Sequence, residues 1–121
     1  MTAVVWAGLA GAGGLGAIAR FLLDGAVSAR TGRALPLGTL AVNLSAAFVL
    51  GVLAGADVGG DALRLAGTGF VGAYSTFSTW MLESHRLAEE GELAAAALNV
   101  AGSLALGFLA VALGHWVGVR L

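Results

Sequence analysis

Cysteine and lysine are both absent from this chain, and proline occurs once, at Pro36. The lack of cysteine excludes disulfides, thiolate metal sites and a cysteine nucleophile, and it leaves the redox compartment open. Charged residues make up only 11% of the 121 residues, and a net charge of −1 argues against a nucleic-acid partner. The spacing of the polar residues contains no Ser/His/Asp set and no metal-ligand cluster, so the sequence does not predict an enzyme.

Apolar residues are present in excess. They make up 59% of the chain, and the mean hydropathy is +0.92, whereas soluble proteins average about 45–50% apolar and about 25% charged residues. Uncharged runs approach the roughly 20 residues that a helix needs to cross about 30 Å of hydrocarbon. We therefore predict one all-α integral membrane domain over residues 1–121, multi-pass in the cell membrane. Its four transmembrane helices are expected at about residues 2–23, 36–55, 63–82 and 93–118.

Two other fold classes are the alternatives to a helical membrane domain. A membrane barrel requires strands that alternate between apolar and polar residues, and this alternation is absent. A soluble helical bundle with a buried core remains as the alternative. The run Met1–Ala19 lacks the basic start of a signal peptide, so it is interpreted as the first span.

Because the chain contains no lysine, arginine is the residue that indicates the orientation of the helices in the membrane. An even number of spans puts both termini on one side, with Arg64 and Arg120, while Arg30, Arg33 and Arg86 lie on the other. This bias is weak under the positive-inside rule, so it is compatible with either orientation or with both.

Glycine is abundant, with 20 residues, and two segments have the small-xxx-small pattern of close helix contacts. They are Gly51–Gly55 and Gly114–Gly118. Four helices rich in glycine and alanine enclose little volume for a private aqueous path. The pattern therefore predicts oligomerisation.

Polar residues form stripes on two of the predicted spans. Thr39 and Asn43 are four residues apart on the second span, and Asn99, Ser103 and Gly107 repeat this spacing on the fourth. A polar group without a partner is costly in an apolar medium. These side chains therefore either join helices by hydrogen bonds or line a track for a small solute that forms hydrogen bonds.

Charged residues are almost excluded from the predicted spans. No carboxylate falls inside one, which argues against proton-coupled cation transport. Arg20 lies well inside an uncharged run. It is interpreted either as paired with Asp24, one turn on, or as part of a positive mouth that concentrates anions.

The stretch GFVGAYSTFSTWMLE, at residues 69–83, combines helix-weakening glycines with four hydroxyl side chains. Hydroxyls replace lost helical hydrogen bonds, so this stretch predicts a break in the third helix. Breaks of this kind expose carbonyls and helix ends to ions. Phe77 and Trp80 then project from one face, and an aromatic ring edge, being positive, favours an anion.

Several motifs together resemble the CrcB/Fluc fluoride channels. They are GTLAVN at 38–43, GAYSTFSTW at 72–80, the glycine-rich run that ends in Arg20, and Asn-Val-x-Gly-Ser from residue 99. The resemblance covers nearly the whole chain in order. It implies a passive, fluoride-selective channel that exports toxic fluoride and assembles as an antiparallel dual-topology dimer in the lipid bilayer.

The resemblance also implies roles for individual residues. Main-chain carbonyls of Gly72 and Ser75 are expected to hold one structural Na⁺ at the dimer centre. Phe77 and Trp80 correspond to the aromatic pair of the pore, and Arg20 is the candidate vestibule charge. The other candidates for the fluoride pathway are Asn43, Asn99, Ser103, Thr39, Ser78 and Thr79.

Some departures from the family pattern leave alternatives open. Trp80 replaces the usual second Phe and adds bulk and an N–H donor, while Ser75 replaces a Thr. A homodimer and a heterodimer with a paralogous subunit both remain possible. The rival functions are a small dual-topology multidrug or cation exporter and a non-conducting partner subunit of a heterodimeric fluoride channel.

Overall fold

The computed structural model describes all 121 residues, and every regular element in it is helical. The elements are α1 (Ala3–Thr31), α2 (Leu37–Gly55), α3 (Gly60–Leu63), a π-helical segment (Arg64–Val71), α4 (Gly72–Tyr74), α5 (Ser78–Glu89) and α6 (Leu93–Gly118). The predicted all-α fold is confirmed. Helices α1, α2 and α6 are each long and apolar enough to cross a membrane. The remaining crossing runs from Gly60 to Glu89 and is interrupted after Tyr74, so the predicted broken helix is also confirmed.

Two helices extend further than the hydropathy pattern predicts. Helix α1 continues to Thr31, where Gly32 turns the chain away with φ of 75°, and α5 continues to Glu89. Asp24 and Glu83 therefore lie inside helices, each just beyond the end of a predicted span. Hydropathy marks where apolar residues stop, whereas a helix continues through polar residues until a breaker ends it.

The closest helix pair is α2 against α6, and glycine makes it possible. A Cβ atom at Gly51, Gly55, Gly114 or Gly118 would lie only 2.1–2.3 Å from a main-chain oxygen of the facing helix. The two small-xxx-small segments thus pack against each other within one chain. The interpretation of these segments as an oligomerisation signal is wrong, because their close-contact faces are already occupied.

The broken crossing packs against α1 and α2. At Gly16 of α1, a Cβ would lie 2.3 Å from the carbonyl oxygen of Phe70 in the π-helical segment. Further along, the Tyr74 and Ser45 hydroxyls lie 2.7 Å apart and tie the end of α4 to α2. These contacts hold the first half of the crossing in place just before it breaks.

Most of the molecular surface is apolar. Only 14 of 121 residues are buried, and side chains such as Phe21 and Phe108 are 77% and 75% exposed. Large exposed apolar surfaces mark contact with lipid or with another protein. Together with the membrane-length helices, this surface identifies a multi-pass membrane protein.

Candidate functional site

The break lies at residues 75–77, between α4 and α5. Ser75 is extended, with φ of −74° and ψ of 161°, and both its amide and its hydroxyl donate to the Val71 carbonyl, at 2.9 and 3.0 Å. The Thr76 hydroxyl accepts a hydrogen bond from the Thr79 amide at 3.2 Å and so caps the start of α5. The Thr76 hydroxyl thus satisfies an amide that the break leaves without a helical partner, whereas the Ser75 hydroxyl adds a second bond to a carbonyl that is already paired.

Asn43 holds the break from the neighbouring helix α2. Its Nδ2 donates to the Thr76 carbonyl at 2.8 Å, and its Oδ1 accepts from the Thr76 amide at 2.9 Å. The side chain therefore pairs with both main-chain polar groups of one residue, as a neighbouring backbone strand would. A carboxamide has two N–H donors, and only one of them is used here. Asn43 positions the break, and one of its N–H groups forms no hydrogen bond within the chain.

Arg20 reaches the break from α1. Its Nη1 donates to the Ser75 carbonyl across 3.5 Å. The predicted pairing with Asp24 does not form: the ion pairs of the chain are elsewhere, and the Asp24 carboxylate accepts from the Ser28 hydroxyl at 3.3 Å. The guanidinium charge of Arg20 is therefore not neutralised by a salt bridge and lies beside the helix break.

The aromatic pair has an edge-to-face arrangement. The ring centroids of Phe77 and Trp80 are 5.7 Å apart, and the ring planes meet at 81°. Phe77 is 70% exposed, so most of its ring is open to a partner, lipid or ligand. The Trp80 Nε1 donates to the Asn99 carbonyl at 3.1 Å, so the additional donor introduced by the tryptophan is already used within the chain.

Ser84 is a site residue that sequence reasoning missed. It is buried, its hydroxyl donates to the Trp80 carbonyl at 2.8 Å, and it accepts from Asn99 Nδ2 at 2.8 Å. With the Trp80–Asn99 bond, this closes a three-residue network between α5 and α6. The available signal was the four-residue spacing between Trp80 and Ser84, which places both on one helix face.

Glu83 is a second site residue that sequence reasoning missed, because it lies just beyond the predicted third span, 63–82. It lies in α5, partly buried, and accepts a hydrogen bond from the hydroxyl of Thr39, which is only 4% exposed. Thr39 therefore uses its donor on a carboxylate rather than on a free solute.

The candidate pathway residues are divided between cavities. One cavity of about 230 Å³ is lined by Asn43, Trp80 and Ser103. A second, of about 170 Å³, is lined by polar residues from α1, α2 and the start of α5: Arg20, Asp24, Thr39, Thr76 and Thr79. A third, of about 220 Å³, is mostly apolar and includes Asn99 and Ser103. Ser78 is exposed and lines none of the three.

The last turn before the break contains an unused acceptor. The Gly72 carbonyl receives no main-chain hydrogen bond from residues 75 to 77, because the Ser75 amide bonds to Val71 and the Thr76 amide bonds to Asn43. The chain contains no group of three or more His, Cys, Asp or Glu side chains that could hold a metal. Any cation at this position therefore depends on main-chain oxygens.

Comparison with known proteins identifies the family. The model of the family described as CrcB-like protein, Camphor Resistance (CrcB), matches residues 6–115. A relative from Mycobacterium tuberculosis, named fluoride-specific ion channel FluC 2, is 49% identical over 117 residues, covering 97% of this chain and 93% of the relative. Its namesake from Mycolicibacterium paratuberculosis is 54% identical over 114 residues, covering 94% and 93%.

A more distant organism provides a third match of the same name. The FluC 2 protein of Haloarcula marismortui is 46% identical over 122 residues, covering 100% of this chain and 99% of the relative. The matches extend along almost the whole of each chain, so they include the broken crossing and both polar helices. The resemblance inferred from the motifs is confirmed. This chain belongs to the CrcB family.

Proposed function

We propose that this chain forms a fluoride-selective channel that lets fluoride leave the cell passively across the plasma membrane and so limits fluoride toxicity. The observation that carries the proposal is the helix break at residues 75–77, lined by uncharged donors and by Arg20, in a chain nearly half identical to proteins named fluoride-specific ion channels.

Fluoride is small and strongly hydrated, so a pore must replace its water with other donors and still release it. The free N–H of Asn43 and the hydroxyls of Thr79 and Ser103 are neutral donors of this kind. The edge of an aromatic ring, such as the exposed Phe77, adds weak positive potential. Neutral donors with one nearby guanidinium suit an ion that must bind and then leave.

The proposed assembly is an antiparallel, dual-topology dimer. The proposal is supported by the exposure of Phe77 beside the break and by the near balance of arginines between the two sides. Relatives carry the names FluC 1 and FluC 2, which is compatible with a paralogous partner. The same exposed surface is compatible with a homodimer that has two pores and with a heterodimer that contains a non-conducting subunit.

A structural Na⁺ at the dimer centre is part of the proposal, and the residues fit it in part. The Gly72 carbonyl has no hydrogen bond from residues 75 to 77, and main-chain oxygens are suitable ligands for a hard cation. The Ser75 carbonyl is shared with the Arg20 guanidinium, which opposes a cation there. Bound Na⁺ would supply fixed positive charge, while Gly72 and Asn43 keep the break in shape.

The rival function is a small multidrug or cation exporter, and Glu83 is the observation in its favour. It is a partly buried carboxylate within a helix of the membrane domain, the type of group that proton-coupled exporters use. Its hydrogen bond to Thr39 and the names of the relatives favour the channel instead.

Ion flux from proteoliposomes separates the two functions. Purified protein is reconstituted in vesicles loaded with fluoride or chloride, and efflux is followed with ion-selective electrodes after valinomycin is added to remove the membrane potential. We expect rapid fluoride efflux with chloride efflux near that of empty vesicles. Proton-driven uptake of a lipophilic cation without fluoride efflux would support the exporter. Efflux that requires a co-reconstituted paralogue would identify the heterodimer.

A further inference from the structure

A cavity of about 240 Å³ lies between the α1–α2 connection and α5, at the end of the helical bundle opposite to the two chain termini. Seven of its nine lining residues are not hydrophobic, and six of these carry polar side chains: Asp24, Ser28, Arg33, Thr79, Glu83 and Arg86. None of the functional roles described above involves the two arginines.

Arg86 has a hydrogen-bond donor without a partner in this cavity wall. Its Nη2 donates to the Arg33 carbonyl at 3.3 Å, but its Nε is buried and has no acceptor. Buried polar atoms in folded proteins are nearly always paired with protein or water. The unpaired Nε therefore shows that the guanidinium of Arg86 has donor capacity that the chain itself does not use.

The two carboxylates that line the cavity bond to hydroxyl groups and not to the arginines. Asp24 accepts from Ser28, and Glu83 accepts from Thr39. Neither carboxylate forms an ion pair with Arg33 or Arg86, because the two ion pairs of the chain are Asp61–Arg64 and His85–Glu89. The guanidinium of Arg86 is thus not held in an ion pair, while two nearby carboxylates disfavour ions with more than one negative charge.

The cavity adjoins the inner site. Asp24 and Thr79 line both this cavity and the inner cavity of about 170 Å³ that contains Arg20. An anion held near Arg86 is therefore separated from the Arg20 cavity only by residues that line both cavities. Arg86 therefore lines one of two adjacent cavities and Arg20 lines the other.

We propose that Arg86, supported by Arg33, forms an outer binding site for a small monovalent anion, which is fluoride if the proposed channel function holds. The site raises the local anion concentration at the mouth and delivers the ion to the Arg20 cavity. We expect the site to increase the anion flux at low anion concentration and to leave the maximal flux unchanged.

The test compares fluoride efflux from proteoliposomes over a range of fluoride concentrations for wild type, Arg86→Gln, Arg86→Lys and Arg30→Gln. Arg30 is the matched control, because it is exposed on the same side, donates only to Ala26 of its own helix and does not line the cavity. We expect Arg86→Gln to lower flux several-fold at low fluoride and low ionic strength, with nearly normal flux at saturation. Arg86→Lys should recover part of the loss, and Arg30→Gln should match wild type.

Ionic strength provides a second readout. The Debye length falls from about 10 Å at 0.1 M salt to about 3 Å at 1 M, so high salt with an impermeant anion should remove the difference between wild type and Arg86→Gln. Equal low-concentration flux in these two proteins would overturn the outer site. Arg33→Gln serves as a second variant if Arg86→Gln does not fold, and wild-type flux in Arg33→Gln would then count against the site.

Failure of the channel proposal is distinguishable from failure of this site. Crystals of the wild type soaked in bromide should show anomalous density within hydrogen-bond distance of the Arg86 guanidinium, and Arg86→Gln crystals should show none at this position. This measurement does not depend on conduction. Wild-type vesicles that release no fluoride would remove the proposed channel function and leave the anion site to the bromide result, whereas absence of bromide at Arg86 in the wild type would remove the site.

Discussion

At the scale of single residues, the candidate pathway depends on side chains that have structural tasks as well. Asn43 binds both polar groups of Thr76, and Trp80 donates to the Asn99 carbonyl. Each was predicted from sequence as a pore residue, and each uses a donor to hold another element. Substitutions at these positions therefore test geometry and ion contact together, and stability must be measured alongside flux.

Replacing Asn43 separates its two tasks. Asn43→Asp keeps an acceptor for the Thr76 amide but loses the donor to the Thr76 carbonyl, whereas Asn43→Ala loses both bonds. Leaving a buried polar group without a partner costs about 1–3 kcal/mol. We expect lower fluoride flux in both variants and the larger loss of thermal stability in Asn43→Ala. Wild-type flux in both would remove Asn43 from the pathway.

The indole of Trp80 makes a separate prediction. Trp80→Phe removes the 3.1 Å bond to the Asn99 carbonyl and keeps an aromatic ring beside Phe77. We expect fluoride flux to be preserved or raised, with stability reduced by about 0.5–1.5 kcal/mol, the usual net value of one hydrogen bond. Flux and thermal unfolding in detergent measure the two effects. Abolished flux in a folded protein would mean that the indole contributes directly to conduction.

At the scale of helices, two kinds of contact place the site. Small residues bring α2 and α6 together, while polar side chains bridge the break to α1 and α2. The first kind sets the distance between the helices that carry Asn43 and Ser103. The second kind satisfies the backbone groups that the break exposes, which a lipid environment cannot do.

The glycine contact between α2 and α6 predicts a strong effect of one methyl group. Gly114→Ala would place a Cβ 2.1 Å from the Phe48 carbonyl oxygen, so the helices must move apart. We expect a loss of roughly 1–3 kcal/mol of stability, as for other overpacked sites. Gly11→Ala is the control, because no atom lies within 4 Å of its added Cβ, and alanine favours a helix. Similar thermal unfolding of both variants would contradict the proposed close contact.

At the scale of the whole molecule, the surface is more informative than the core. Few residues are buried in one chain, and the break is lined by atoms that remain accessible from outside it. Phe77 is exposed at the centre of the crossing, and the arginines are divided nearly evenly between the two sides. The proposed second copy or paralogue of opposite orientation would cover such a surface.

Dual topology is testable because the chain has no native cysteine. A single cysteine introduced as Thr2→Cys reports the side on which the N-terminus lies. We expect a membrane-impermeant maleimide to label about half of the protein in intact cells and all of it after permeabilisation. The Arg33→Cys variant, on the opposite side, is the control and should give the same fraction. Labelling of all or none of either variant would exclude dual topology.

The sequence by itself determined the membrane class, the all-helical fold, the family and the position of the break, because these depend on local composition. Runs of apolar residues specify membrane spans. Gly72 and the hydroxyl residues that follow it weaken a helix in any tertiary context. Helical spacing also placed Thr39 with Asn43 on one face. It did not identify the neighbour that each face meets, so the end of α1, the partner of Glu83 and the use of the glycine segments were mistaken or missed.

Tertiary structure alone decided which groups meet. Arg20 bonds to Ser75, Asn43 to Thr76 and Trp80 to Asn99, across separations of 55, 33 and 19 residues. Local propensity carries no information on such pairs, because they arise only when helices pack and unsatisfied donors find acceptors. The same packing left Arg86 Nε without a partner. That atom is the reason for placing an outer anion site where the sequence showed only one more arginine near a helix end.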